Sequence, residues 1–236
     1  MTASHLIGWH QIFIKWRSFM MGIMERKERE KQQRREDILN AAEKVFFSKG
    51  LENATMDEVA EMAELSKGTL YLYFKNKEEL YLGITLRALN IMDKMMFQAS
   101  ETEGTGLERV FALGEAYVQF YKSHPNYFNA LLYYEAKTIE LGNGESMVYE
   151  CHHVGHDSLD IVVQVLKDGV EDGSIRPDID PELMARILWG QTTGLIQMLA
   201  TKGSHFERQH HFNIDDLIEG SFALTMRGLE NPKNKK

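Results

Sequence analysis

The 236-residue chain is 43% hydrophobic and 26% charged, an ordinary globular mixture that excludes wholesale disorder and suits one large domain or two modest ones. A single cysteine, Cys151, cannot form an intramolecular disulfide, which sets aside the secreted, bridge-stapled class. The formal charge of −8 is uneven. Residues 1–24 hold 2 basic and no acidic side chains, residues 25–82 hold 11 and 13, and residues 83–236 hold 14 and 22. A nucleic acid wrapping the whole molecule is therefore excluded, while a local basic surface in the N-terminal third stays open.

All four prolines (Pro125, Pro177, Pro181 and Pro232) lie at or beyond position 125, so the chain runs far without its main helix breaker and reads as mostly helical. No run of about 18 apolar residues occurs, so neither a membrane-spanning helix nor a membrane partner is expected. With the secreted class set aside, a cytoplasmic location is the expectation. His10, Gln11, Lys15, Arg17 and Ser18 interrupt the apolar stretch that a secretory leader would need. Leu6, Trp9, Phe13, Trp16, Met20 and Ile23 instead recur at helical spacing and lay one apolar stripe along residues 1–24. Two readings of this extension stand. It is an amphipathic helix that docks on a partner, on the protein's own body or at a membrane surface, or the chain truly starts at Met20, Met21 or Met24.

Residues 25–49 read as one long helix. Its first turns are charged (Arg26, Lys27, Arg29, Lys31, Arg34 and Arg35 against Glu25, Glu28 and Glu30). Ile38, Leu39, Ala42, Val45, Phe46 and Phe47 then set an apolar face, and Gly50 supplies a stop. Thr55 and Glu58 have the spacing of a capping box and open a second helix. Ser66 caps a short third helix over 67–74, and Asn76 caps a longer one. Two helices of about two turns joined by a tight turn make a helix-turn-helix, whose second helix enters the major groove of DNA. Between Leu65 and Lys77 stand three lysines and no acid. Ser66, Thr69 and the free amides of the helix start can donate to phosphates or base edges, and Tyr71 and Tyr73 add hydroxyls on flat rings.

The stretch Ser66-Lys67-Gly68-Thr69-Leu70-Tyr71-Leu72-Tyr73-Phe74-Lys75-Asn76-Lys77-Glu78-Glu79-Leu80 resembles the signature of the TetR/AcrR family of bacterial transcriptional regulators. The segments 55–63 and 38–50 resemble that family's second and first helices, so the likeness covers roughly residues 30–82. Position by position, it implies that Lys67, Gly68, Thr69 and Tyr71 lie against base edges. It implies equally that Thr55, Ser66, Tyr73, Lys75 and Lys77 hold phosphates, and that Met56 could make only apolar contacts. Leu70 and Phe74 read as core. The family usually has glycine where this chain has Glu64, so a left-handed turn there would strain the backbone by about 1 kcal/mol.

The remainder reads as helices over 77–99, 106–123, 125–140, 145–172, 180–201 and 213–229. The separators are Gly104 and Gly106, Pro125, Gly142 and Gly144, 173–177, and Gly203 onward. The expected fold is all-α, with a helix-turn-helix domain over 25–76 and a ligand-binding and dimerisation domain over 77–231. Met92, Met96, Phe111, Tyr117, Phe120, Tyr121, Tyr127, Phe128, Tyr133, Tyr134 and Trp189 are either core or the adaptable wall of a small-molecule pocket. The resemblance implies the pocket, and all of these except Tyr133 are taken as its candidate lining. Few basic residues occur over 110–165 (Lys122 and Lys137), which leaves a neutral, cationic or amphipathic ligand open.

Cys151-His152-His153 and His156 form a local oddity. His152 and His156 are four apart and share a helix face at metal-ligand spacing, but no second ligand pair accompanies them. Leu183, Ile187, Leu188, Gly190, Gly194, Leu195 and Met198, then Leu217, Ile218, Phe222 and Met226, give stripes for helix packing. In the resembling family the last two helices pair with their copies. No phosphate-cradling loop, nucleophile elbow or set of reacting groups is visible, so neither an enzyme nor a cofactor is expected. The expectation is a homodimeric repressor that binds a palindromic operator in double-stranded DNA and is released by a small, largely apolar effector. The alternative is a helical metal- or ligand-binding protein built on His152 and His156.

Overall fold

Helix ends fall where the sequence supplies caps. In the computed structural model, which describes residues 3–136, 147–205 and 213–234 and the side chains of 21–136, 147–203 and 213–233, the architecture is all-α. The helices are α1 (Ala3–Lys49), α2 (Met56–Met62), α3 (Lys67–Tyr73), α4 (Lys77–Ser100), α5 (Gly106–Ser123), α6 (Pro125–Glu135), α7 (Met147–Glu171), α8 (Pro181–His205) and α9 (Ile214–Leu229). Thr55 and Thr105 each close a reciprocal capping box, with Glu58 and Glu108 respectively. Asn76 Oδ1 accepts from the Glu79 amide at 2.7 Å at the start of α4.

Three boundaries differ from expectation. The helix expected from residue 25 begins at Ala3, because nothing stronger than Gly22 interrupts the intervening residues and one helical glycine costs only about 1 kcal/mol. The apolar stripe of residues 6–20 lies outside the described side chains. α6 closes at Glu135 rather than 140, with the Ala136 amide bonding Leu132 O at 3.0 Å, and the signals at Gly142 and Gly144 lie outside the described residues. α8 passes through Gly203 to His205, so that glycine is a helical residue.

The chain divides into two compact units, Met1–Tyr81 and Leu82–Lys236, with the division inside α4. The first is built on the apolar face of α1. Ile38, Ala42 and Phe46 of α1, Val59 and Ala60 of α2, Leu70 of α3, and Phe74 and Leu80 are all at most 4% exposed. Burying side chains of this size contributes about 1.5–3 kcal/mol each. The Arg35 guanidinium sits 4.4 Å from the Phe74 ring centroid and covers the core edge.

In the second unit α5 is central and packs on α6, α7, α8 and α9. Its start crosses α7 at backbone contact: a Cβ on Gly106 would lie 2.2 Å from Gly169 Cα, so both positions exclude a side chain. Asp172 locks the crossing by accepting from the Gly106 amide at 2.7 Å and the Ser174 amide at 2.8 Å. Burial works to raise the Asp172 carboxyl, but hydrogen bonds from Ser174 and the Gly106 amide, with the Arg109 charge, hold it below the usual carboxylate range. The segment after α9 returns to this corner, where the Arg176 amide bonds Leu229 O at 2.9 Å and the Asn231 amide bonds Ser174 O at 3.0 Å.

Candidate functional site

α3 is held by one face and free on the other. Leu70 and Phe74, one turn apart, are fully buried, whereas Tyr71 is 43% and Leu72 84% exposed. Ser66, Lys67, Gly68, Lys75 and Thr55 are exposed, and Thr69, Tyr73 and Lys77 are half-buried. Ser66 caps the helix: its hydroxyl accepts from the Thr69 amide at 3.1 Å and lies 2.8 Å from Thr69 Oγ1. The Thr55 hydroxyl likewise accepts from the Glu58 amide at 3.3 Å. Met56 is buried, 8% exposed, and belongs to the core.

The turn between α2 and α3 closes as a Schellman motif. The Leu65 amide reaches Ala60 O at 2.9 Å and the Glu64 amide reaches Glu61 O at 3.1 Å. Glu64 takes the left-handed conformation this requires, φ 55°, as its departure from glycine implied.

Two of the three lysines have internal partners that a count of charge along the chain does not show. Lys67 Nζ lies 2.6 Å from Asp57 Oδ1 on α2, and that hydrogen bond raises the ammonium above its ordinary value. Lys77 Nζ donates to Leu51 O at 2.9 Å, Glu52 O at 3.2 Å and Ala54 O at 3.4 Å, tying the start of α4 to the connection between α1 and α2. Lys75 stands in solvent.

Leu72 was not singled out among the candidate contacts. Its signal was there in the spacing, because a residue two from both Leu70 and Phe74 lies on the opposite side of the helix.

Within the Leu82–Lys236 unit a cavity of about 550 Å³ opens among α4, α5, α6, α7, α8 and α9. Met92, Met96, Phe111, Tyr117, Tyr134 and Trp189 line it, together with Leu89, Leu159, Val162, Thr193 and Phe222. Phe111 and Phe222 meet edge-to-face at 5.5 Å between centroids. Gly114 makes room for them, since a Cβ there would stand 3.2 Å from the Phe222 ring.

Phe120, Tyr121, Tyr127 and Phe128 do not line the cavity, which corrects their assignment to it. Phe120 and Phe128 are fully buried where α5 meets α6, Tyr121 packs on Phe128 at 5.3 Å, Phe120 stacks on His124 at 5.6 Å, and His124 neighbours Tyr127 at 6.0 Å. Pro125 turns the chain sharply between these helices, and that wedge absorbs the rings. Glu135, His152 and His156, by contrast, do reach the cavity.

Cys151 is fully buried, its Sγ 3.6 Å from Leu82 O, and burial, with the Glu150 charge, pushes its thiol up to about 12. His153 and His156 each pair with the aspartate four residues on, Asp157 at 2.9 Å and Asp160 at 3.1 Å. Among the described residues His156, Asp157 and Asp160 form an exposed group that excludes His152, the other half of the spacing read as metal-binding.

A two-turn helix with one face in the core and the other in solvent, set behind a matched helix across a tight turn, is the device of helix-turn-helix DNA-binding regulators. Residues 38–84 match the model of the tetR family of bacterial regulatory proteins, and residues 110–227 match that of the tetracyclin repressor-like C-terminal domain. The chain belongs to the TetR/AcrR family of transcriptional regulators. It is similar to the uncharacterized HTH-type transcriptional regulator YhgD of Bacillus subtilis (strain 168), 33% identical over 83% of this chain and 96% of that one. It is also similar to the HTH-type transcriptional repressor KstR2 of Rhodococcus jostii (strain RHA1), 26% identical over 86% and 95%. In fold it resembles the transcriptional regulator FadR from Bacillus subtilis solved in complex with stearoyl-CoA, with a TM-score of 0.63, 17% identity, and coverage of 81% of this chain and 97% of that one.

Proposed function

We propose that this regulator is a homodimeric repressor whose two α3 helices read a palindromic operator, and that a small, largely apolar molecule in the cavity of the Leu82–Lys236 unit releases it. The observation that carries the reading is the exposed outer face of α3, where Ser66, Lys67, Gly68, Tyr71, Leu72 and Lys75 stand in solvent over a buried Leu70 and Phe74. In this reading Lys67, Gly68, Thr69 and Tyr71 meet base edges, while Thr55, Ser66, Tyr73, Lys75 and Lys77 meet phosphates. The repressor name of the KstR2 relative supports repression, and the stearoyl-CoA in complex with the FadR structure supports a small-molecule ligand.

One helix-turn-helix reads only a few base pairs, so affinity calls for two copies on a two-fold site. The outward sides of α8 and α9 support such pairing. Leu183, Ile187, Met198 and Leu224 are exposed, and Gly190, Gly194 and Gly220 have open space where a Cβ would stand. An effector that binds one arrangement of the dimer better than another shifts the population away from the spacing that fits successive major grooves.

Binding of the intact protein to DNA from its own promoter tests this, measured by fluorescence anisotropy across a salt series. Tyr71→Ala is expected to weaken binding by roughly 1–3 kcal/mol, and Lys75→Ala to reduce the salt slope by about one. Unchanged binding in both variants would remove α3 as the reading helix.

A further inference from the structure

Glu135 is the one acidic side chain among the cavity's described lining residues. Among those residues are no lysine and no arginine, while Glu135, His152 and His156 reach the cavity. Several other polar groups of its wall are satisfied by the protein. Tyr117 Oη lies 3.0 Å from Thr193 Oγ1, and Ser158 donates to Asp93 Oδ1 at 2.8 Å. Thr225 donates to Ser221 O at 3.1 Å and accepts from Gln191 Nε2 at 3.0 Å, and His156 is paired with Asp160.

Glu135 differs from all of these. Among the described residues nothing bonds its carboxylate, which stands at the cavity's edge with its outer side in solvent. Burial against the apolar wall holds that carboxyl above the usual range. Burial raises the Tyr117 phenol against the hydrogen bonds with Thr193 and Trp189, with the Glu135 charge adding to the rise, and burial with the Cys151 and Glu135 charges pushes Tyr134 up to about 12. Glu135 thus stands among the residues that line the chamber.

A free carboxylate or phosphate entering this chamber would lose its water, find no lysine or arginine among the described lining residues to replace it, and stand beside a like charge. A cation gains from the opposite charge of Glu135 and from aromatic side chains in the lining, Tyr134 and Trp189, of the kind that attract ammonium groups. Met92, Met96 and Leu159 of the same lining form a deformable apolar wall suited to a hydrocarbon body.

We propose that the effector is an amphiphilic organic cation, an amine or quaternary ammonium on an apolar body, held with its charge at Glu135 and its body in the cavity. This rests on the reading of the cavity as the effector site.

The test uses the intact protein and three ten-carbon probes below their micelle concentrations: decyltrimethylammonium, neutral N,N-dimethyldecanamide and decanoate. Their affinities are measured by titration calorimetry. The ammonium is expected to bind at least about tenfold more tightly than the amide, and decanoate more weakly than the amide. Glu135→Gln should abolish the preference for the ammonium while leaving amide binding within about twofold, which also reports that the variant is folded. Preference for decanoate, or a cation preference that survives Glu135→Gln, overturns the proposal. Operator release is read separately. If the ammonium binds through Glu135 but leaves DNA bound, the ligand class stands and the regulatory reading falls. If it does not bind while another molecule releases DNA from the cavity, the reverse holds.

Discussion

Glu64 is the sole non-glycine residue with positive φ among those described, and it sits at the left-handed position that ends α2. An L side chain there is strained by about 1–2 kcal/mol, partly offset because glycine is freer in the unfolded chain. Glu64→Gly is therefore expected to stabilise the Met1–Tyr81 unit by about 0.5–1 kcal/mol, read as a higher denaturant midpoint at unchanged slope. A lower midpoint would mean that the glutamate side chain makes contacts worth more than the strain. This position could be read from the chain alone, since the motif around it demands glycine. The pair Gly106 and Gly169 could not, because 63 residues of chain separate two backbones that meet only when α5 crosses α7.

At the scale of the element, α3 shows how a seven-residue helix is held in place. Ser66 closes its start, Leu70 and Phe74 seal one face, and Arg35 covers Phe74 from α1. Lys77 completes the frame, because its ammonium gathers three carbonyls of the α1–α2 connection and so joins that connection to α4. Lys77→Met should then destabilise this unit by about 1–2 kcal/mol in chemical denaturation, since hydrogen bonds to a charged group contribute more than neutral ones. Were Lys77 solely a phosphate contact, stability would hold and only the salt slope of DNA binding would fall, by about one. α9 gives the complementary lesson. Leu217, Ile218, Phe222 and Met226 give it an apolar stripe for helix packing. The structure turns Ile218 into the core and Phe222 and Met226 onto the cavity, and leaves Gly220, Leu224 and Gly228 outward. Periodicity finds the apolar stripe of a helix, but not whether it faces its own domain or a second copy.

For the whole molecule, the exposed stripe Leu183, Ile187, Gly190, Gly194 and Met198 of α8, with Leu224 of α9, is the surface on which the proposed dimer depends. Ile187→Glu combined with Leu224→Glu would bury two unpaired charges in that seam. The expected result is loss of at least about 3 kcal/mol of association, seen as monomers by sedimentation with helical circular dichroism retained. A dimer of undiminished affinity would place the interface elsewhere.

Much of this protein could be read from one dimension. Caps at Thr55, Ser66, Asn76 and Thr105, the helical periods and the α3 motif depend on neighbours within about four residues, so composition and spacing determine them and the all-α fold they build. Distance along the chain carries no such information about the rest. Which aromatics line the cavity and which fill the wedge of α5 and α6, which lysine of the α3 tip meets Asp57, and which stripe of α9 faces outward all follow from how helices cross, and only packing in three dimensions decides them.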